Sequence, residues 1–236
     1  MSKHMKRLTA PKSWPVSRKT HVWVTKPTPG PHPIQRSLPL LVLVRDMAKY
    51  CDTAREARRI IGQRKIYVDG KVATNYKMPV GVMDVISIPD NKDNFRLLLD
   101  RLGNFRLMKI SPEEAKWKLV RIENKTTIKD GKTQLNLHDG RNIVIDKNAR
   151  KTGDTLKISL PDQKILGAHE FKEGSIAYLT GGAHIGELGT VQDTEITRSS
   201  ASNIVKFKDG FSTVKDYVFI VGEATSEISL PEVSAL

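Results

Sequence analysis

The stretch that decides the reading of this chain is Thr53-Ala54-Arg55-Glu56-Ala57-Arg58-Arg59-Ile60-Ile61-Gly62-Gln63-Arg64-Lys65-Ile66-Tyr67-Val68-Asp69-Gly70-Lys71-Val72. Thr53 followed three residues later by Glu56 is a capping box, so a helix starts here. Ala54, Ala57, Ile60 and Ile61 give that helix an apolar side. Arg55 and Arg59 are one turn apart on another side, with Arg58 beside them. Gly62 is a natural stop. The chain then changes period: Ile66-Tyr67-Val68 reads as a strand, Asp69-Gly70 as a hairpin turn, and Lys71-Val72 as the return strand. Upstream, Leu40, Val44, Met47 and Ala48 follow helical spacing, and Arg45 and Lys49, four apart, share another face. Downstream, 84–88 alternate as a strand that Pro89 ends. Residues 40–91 are thus expected to form a compact module of two short basic helices on a small sheet.

Charge supports a polyanionic partner for this region. The 236-residue chain carries a formal net charge of +13. Residues 1–77 hold 17 Lys and Arg against 4 Asp and Glu, whereas the other 22 basic and 22 acidic residues cancel. Such asymmetry points to nucleic acid. Each cation that meets a phosphate releases condensed counterions, and binding driven that way weakens steeply as salt rises. A membrane surface could attract the same charge, but no amphipathic anchor or lipidation signal accompanies it. No run approaches the roughly 18 apolar residues that span a bilayer. The basic start has no apolar core behind it and does not read as a secretory signal. One cysteine, Cys51, excludes an intrachain disulfide and reads as a small buried side chain.

Residues 1–39 read as an extension rather than a domain. They are rich in Lys, Arg and His and hold Pro11, Pro15, Pro27, Pro29, Pro31, Pro33 and Pro39. Proline removes donors and blocks helix interiors, so the segment runs extended or in turns. Trp14 and Trp23 lie among the charges, where their rings either stack on bases or pin the segment to a neighbouring domain. Residues 92–172 read as a central β domain, with strands at 95–99, 105–110, 119–128, 133–137, 142–145 and 155–159. The run Ser111-Pro112-Glu113-Glu114 marks one short helix. Residues 173–236 read as a second small β domain with a polar tail, its strands at 175–180, 188–194, 203–208, 211–215 and 217–221.

Catalytic patterns are sparse. The histidines show no metal-ligand spacing with one another or with Cys51, so no metal is expected. There is no phosphate-binding Gly-Lys-Ser or Gly-Lys-Thr loop and no serine elbow. Gly181-Gly182-Ala183-His184-Ile185-Gly186 lacks the strand-to-helix setting of a dinucleotide site. It reads either as a tight turn in a barrel or as a loop that presses on a nucleic-acid backbone.

The motifs then resemble known families. Residues 174–191 are similar to a KOW motif, a glycine-containing hairpin of ribosomal proteins and transcription elongation factors. Residues 41–88 look like the alpha-L RNA-binding module shared by ribosomal proteins and some pseudouridine synthases. The order of His4-Met5-Lys6-Arg7-Leu8-Thr9-Ala10-Pro11-Lys12-Ser13-Trp14, Pro29-Gly30-Pro31-His32, Met83-Asp84-Val85-Ile86-Ser87-Ile88, Asn94-Phe95-Arg96-Leu97, Ile110-Ser111-Pro112-Glu113-Glu114-Ala115-Lys116 and Val218-Phe219-Ile220-Val221-Gly222 resembles the archaeal and eukaryotic small-subunit ribosomal protein family S-four-e. The short acidic tail is more like an archaeal member.

The resemblance implies an α+β, multi-domain, mostly β protein with an alpha-L RNA-binding module, a central small β-barrel or sandwich and a C-terminal KOW-type small β-barrel. It implies a non-enzymatic structural constituent of the small ribosomal subunit, cytoplasmic and on the ribosome. Its partners would be 16S-type ribosomal RNA and neighbouring small-subunit proteins, with no cofactor, membrane or small-molecule substrate. The expected RNA-binding residues are Lys3, Lys6, Arg7, Lys12, Trp14, Arg18, Lys19, Trp23, Lys26, His32 and Arg36 in the extension. In the module they are Arg45, Lys49, Arg55, Arg58, Arg59, Arg64, Lys65 and Lys71, and in the glycine loop Gly181, Gly182 and His184. Two other readings stand beside this one. An RNA-modifying enzyme would use the module for docking, but Leu99-Asp100-Arg101-Leu102 has its arginine after the aspartate rather than before it, unlike a pseudouridine synthase. A KOW-containing transcription elongation factor would be recovered with RNA polymerase.

Overall fold

The computed structural model describes residues 4–146 and 150–230. They form two compact units: residues 1–99, 104–118 and 160–162 in the first, and 100–103, 119–159 and 163–236 in the second. The chain is mostly β with few helices, an α+β architecture.

In the first unit the Thr53 capping box forms as its residues require. Thr53 Oγ1 accepts from Glu56 N, and the Glu56 carboxylate accepts from Thr53 N, closing the helix Ala54–Gly62. Gly62 is its last helical residue, the stop expected from the sequence. The left-handed residue is Arg64 (φ 60°), whose N–H bonds to Ile61 O at 3.0 Å. The preceding helix also departs from a simple amphipathic one. Leu40–Val42 are α-helical, but Leu43–Met47 widen into a π-turn closed by Ala48 N to Leu43 O at 2.9 Å. Leu40 to Val44 are all 0 % exposed, so this segment is core on every side rather than one apolar stripe. The wider turn and the left-handed backbone of Lys49 (φ 54°) undo the shared face expected of Arg45 and Lys49.

The hairpin turn Asp69-Gly70 forms with both residues at positive φ (51° and 73°), the geometry that fits a two-residue connection between twisted strands. It joins Tyr67–Val68 to Lys71–Val72. The five-stranded antiparallel sheet then runs Lys71–Val72, Tyr67–Val68, Val85–Ile88, Asp93–Leu99 and Phe105–Lys109.

Residues 4–39 are not a detached extension; they belong to this unit. Ser37–Pro39 pairs with Pro79–Gly81, and Met5–Lys6 pairs with Trp23–Val24. Trp14 is 2 % exposed, and its Nε1 donates to Ser37 O at 2.7 Å. Phe105 N donates to Ser13 O at 2.9 Å. The sequence reading missed this because prolines hide pairing: the short strands here alternate with turns and carry no period.

A buried charge cluster ties the pieces together. Lys118 Nζ lies 2.5 Å from Asp84 Oδ1 and 2.9 Å from Asp69 Oδ2, and His32 Nε2 lies 2.9 Å from Asp84 Oδ2. Asp84 also accepts from Gly81 N at 2.7 Å and Asp69 from Val85 N at 2.9 Å. The His32 ring packs against Gly81, where a Cβ would sit 2.5 Å from its Cγ. Burial pushes the Asp84 carboxyl up, but His32 and Lys118 outweigh it and hold it well below the usual carboxylate range.

The second unit contains two five-stranded antiparallel sheets. One runs Asn142–Ile145, Thr133–Leu137, Trp117–Thr127, Thr155–Ser159 and Ile165–His169; the strand Ile165–His169 was not expected from sequence. Its core is Val120, Ile122, Leu135, Leu137, Leu156 and Ile158, drawn from alternating positions. The other runs Ser212–Val214, Ile204–Phe207, Leu188–Glu195, Ile176–Leu179 and Val218–Gly222, with Ala177, Leu179, Val191, Val205, Phe207, Val218 and Ile220 inside. Arg121 is buried and donates to Asp216 O (2.7 Å) and Val218 O (3.1 Å).

Two outcomes test the charge cluster. Lys118→Met leaves two buried carboxylates without their cation and is expected to destabilise the first unit by about 3–5 kcal/mol in urea unfolding. Lys172→Met, at the solvent-exposed Glu223 pair, should cost far less, because water screens that pair. The second concerns acid. Because the folded Asp84 carboxyl sits below its ordinary value of 3.8, its stabilisation is present above that pH and lost as the pH falls below it. Melting temperature below pH 4 should therefore fall less steeply for Asp84→Asn than for the parent; equal slopes would count against this assignment.

Candidate nucleic-acid interface

The helix Ala54–Gly62 buries Ala57 and Ile61, which fixes its outer face. Arg55, Arg58 and Arg59 are exposed on it. Arg55 and Arg59 have no acidic partner among the described residues. The Arg58 guanidinium sits 4.7 Å from the centroid of the Tyr76 ring, and Lys77 Nζ lies 5.6 Å from the same ring. Sequence spacing gave no hint of Tyr76, since nothing links it to the helix except the fold. Lys49, Arg64, Lys65 and Lys71 are also exposed. Lys65 pairs with Asp90 at 2.7 Å, a contact open to water at both ends and weak for that reason.

Arg45 differs. Its guanidinium is folded onto Asp46 through two bonds of 3.0 and 2.8 Å, and that hydrogen bonding raises its pKa further. Cys51, half-buried beside it, has its thiol pushed up by burial and by Glu56. The Tyr50 hydroxyl donates to Asp93 at 2.7 Å; burial and this bond push it up to about 12.

The N-terminal candidates divide. Lys6, Lys12, Lys19 and Arg36 are exposed, and Lys3 lies outside the described residues. Trp23 is 57 % exposed, its ring 5.8 Å from that of His4, and Leu8 and Val22 are exposed too. Lys26 is half-buried at one side of a groove of ≈ 870 Å³ lined by residues 27–34, with Lys77 opposite. Four candidates turn inward instead, correcting the expectation that they face RNA. Arg7 is buried, Trp14 is in the core, and His32 is sealed against Asp84. Arg18 spends its guanidinium on Ala10 O and Pro11 O, each at 2.7 Å. Trp14, Arg18 and His32 thus spend their hydrogen bonds inside the fold, and Arg7 is withdrawn by burial.

In the second unit, Gly181 packs on Tyr217, Gly182 has φ 87°, and His184 Nδ1 lies 3.0 Å from Glu187. Among the described residues no cluster of His, Cys, Asp and Glu could hold a metal, and no helix is long and apolar enough to cross a membrane.

An exposed cationic helix face on a small sheet, carried by β-rich units, is a surface suited to nucleic acid. Residues 1–35 match the RS4NT domain, residues 38–86 the S4 domain, and residues 91–165 the ribosomal family S4e. Small ribosomal subunit protein eS4 of Methanothermobacter thermautotrophicus is 49 % identical over 97 % of this chain and 96 % of its own length. The protein of that description from Methanocaldococcus jannaschii is 48 % identical over 97 % of each. The crystal structure of 30S ribosomal protein S4e from Thermoplasma acidophilum matches with a TM-score of 0.72 at 38 % identity, covering 80 % of this chain and 96 % of that one. The chain belongs to the S4e family of ribosomal proteins.

The arginine face depends on its cap. Thr53→Ala should cost about 0.5–2 kcal/mol in thermal or urea unfolding. Arg59→Ala on the exposed face should stay within about 0.5 kcal/mol. A larger loss at Arg59 would show that its side chain holds the fold rather than a partner.

Proposed function

We infer that this chain is a structural constituent of the small ribosomal subunit that binds 16S-type ribosomal RNA and meets neighbouring small-subunit proteins. The observation that carries this is family membership along nearly the whole chain, combined with an exposed helix face whose Arg55 and Arg59 have no acidic partner among the described residues. A structural constituent of this kind performs no turnover, and it works in the cytoplasm on the ribosome.

The interface we propose is the exposed subset of the basic residues. Arg55, Arg58, Arg59, Arg64, Lys65, Lys71 and Lys49 would meet phosphates from the S4 domain, and Lys6, Lys12, Lys19 and Arg36 from the N-terminal segment. Trp23, exposed beside His4, would take a base face. The mechanism is counterion release at closely packed phosphates, with ring stacking adding contacts that charge alone does not supply. The division at 39, 91 and 172 is proposed for functional segments only, since the strands Asp93–Leu99 and Phe105–Lys109 pair into the first unit's sheet. So is the reading of the second unit as a central barrel or sandwich followed by a KOW-type barrel, supported by antiparallel order and by the glycine hairpin at 174–191.

Deleting residues 1–39 would remove Trp14 and His32 from the core, so it tests folding before it tests charge. Point changes separate the two. Arg55→Ala with Arg59→Ala should lower the slope of log affinity against log salt by up to about 2 for binding to small-subunit ribosomal RNA, with melting unchanged. A parent protein whose affinity is flat between about 50 and 200 mM salt would overturn the reading.

A further inference from the structure

The second unit holds a run of three near-parallel rings that begins in its core and ends at its surface. Phe207 is 1 % exposed and lies in the core. Phe211 stacks on it at 4.7 Å between centroids and 16° between planes. His184 stacks on Phe211 at 4.1 Å and 20°. The ladder thus leads from the interior to the surface, where the His184 side chain is 42 % exposed. Its spacing and tilt are close to those of offset-stacked aromatic pairs.

Three features hold the outer ring in place. Glu187 binds His184 Nδ1 at 3.0 Å and fixes the ring's rotation. Gly189 makes room for the two phenylalanines: a Cβ there would lie 2.6 Å from Phe207 Cδ1 and 3.1 Å from Phe211 Cζ. Gly186, at φ 79°, lets the loop backbone close on the Asp100 carbonyl, where a Cβ would collide. A ring that served only to cover Phe211 would not need its orientation set by a carboxylate. Arg101, 63 % exposed, has its Nε 3.7 Å from the other Glu187 oxygen, so an exposed cation shares the carboxylate that holds the ring.

We propose that the outer face of His184 is a stacking platform for one unpaired nucleobase of RNA, with Arg101 beside it for the adjoining phosphate. Every base offers a π-face, so the platform selects unpaired over paired RNA rather than one base over another. It lies in the part of the chain whose charges cancel, and it supplies contacts there that do not depend on counterion release. This rests on the reading of the chain as a ribosomal RNA binder and assigns a particular contact to the second unit.

The test uses the full chain with two RNA probes, small-subunit ribosomal RNA and a fully paired duplex. His184→Leu, which keeps bulk and removes the ring, should weaken binding to the ribosomal RNA about tenfold. The salt slope and the binding to duplex should be unchanged, because no phosphate contact is lost. His184→Phe, which restores a ring without the Glu187 bond, should recover most of the affinity. Melting temperature read on each variant separates a stacking loss from a folding loss. If His184→Leu binds ribosomal RNA as tightly as the parent, the platform is overturned while the wider reading stands. It is overturned equally if His184→Phe folds normally and stays as weak as His184→Leu. If the parent itself shows no salt-dependent RNA binding, the wider reading fails first and the platform with it.

Discussion

The first unit depends on one ammonium group. Lys118 is 0 % exposed and lies between the carboxylates of Asp69 and Asp84, with His32 on the far side of Asp84. Removing such a group from water is costly, and its attraction to the carboxylates recovers that cost only where geometry is good and the remaining oxygens are also bonded. Here they are: Gly81 N and Val85 N donate to the same two aspartates. The cluster fixes relations that apolar packing alone would leave loose. It joins the 28–33 segment, the 69–70 turn, the strand Val85–Ile88 and the start of the strand Trp117–Thr127. That constraint is directional, so it sets register where a small core would tolerate sliding.

The consequence for function is indirect but physical. The arginines of Ala54–Gly62 are useful only if their helix has a fixed seat, and that seat is the apolar segment 40–44 together with the sheet the cluster locks. The S4 domain presents cations outward, while its buried carboxylates, Asp69 and Asp84, are engaged by Lys118 and His32 from outside the domain. Cations of the first unit therefore fall into two populations. Lys118, Arg7, Arg18 and Arg45 serve the fold, whereas Arg55, Arg59, Arg64 and Lys71 remain available.

This division explains what could be read from the sequence and what could not. The Thr53 and Glu56 capping box, the Asp69-Gly70 turn and the strands 133–137, 142–145 and 155–159 were legible because each is decided by residues within a few positions. The helix stop at Gly62 was legible too, whereas the left-handed backbone of Arg64 just beyond it was not. Trp14 and His32 looked like RNA contacts because their partners, Ser37 and Asp84, lie 23 and 52 residues away. Lys118 carried no signal at all: in a strand, one lysine among apolar residues looks the same whether it snorkels to water or meets a buried carboxylate. The helix arginines were legible as a face since their spacing alone sets it, but Tyr76 beneath Arg58 was not.

The same contrast bears on how the two units would share recognition. Charge on Ala54–Gly62 acts at a distance, strengthens encounter and is screened within about 10 Å at ordinary salt. It distinguishes a polyanion from other partners but carries little information about which part of an RNA is bound. The ring ladder through Phe207, Phe211 and His184 acts only on contact, and only where a base is unpaired. The excess charge lies within residues 1–77, where exposed Trp23 stands among it, while the charges of the rest cancel. In that arrangement affinity comes mainly from the first unit, and the choice of site comes from whatever unpaired base the second unit can reach once the first is held.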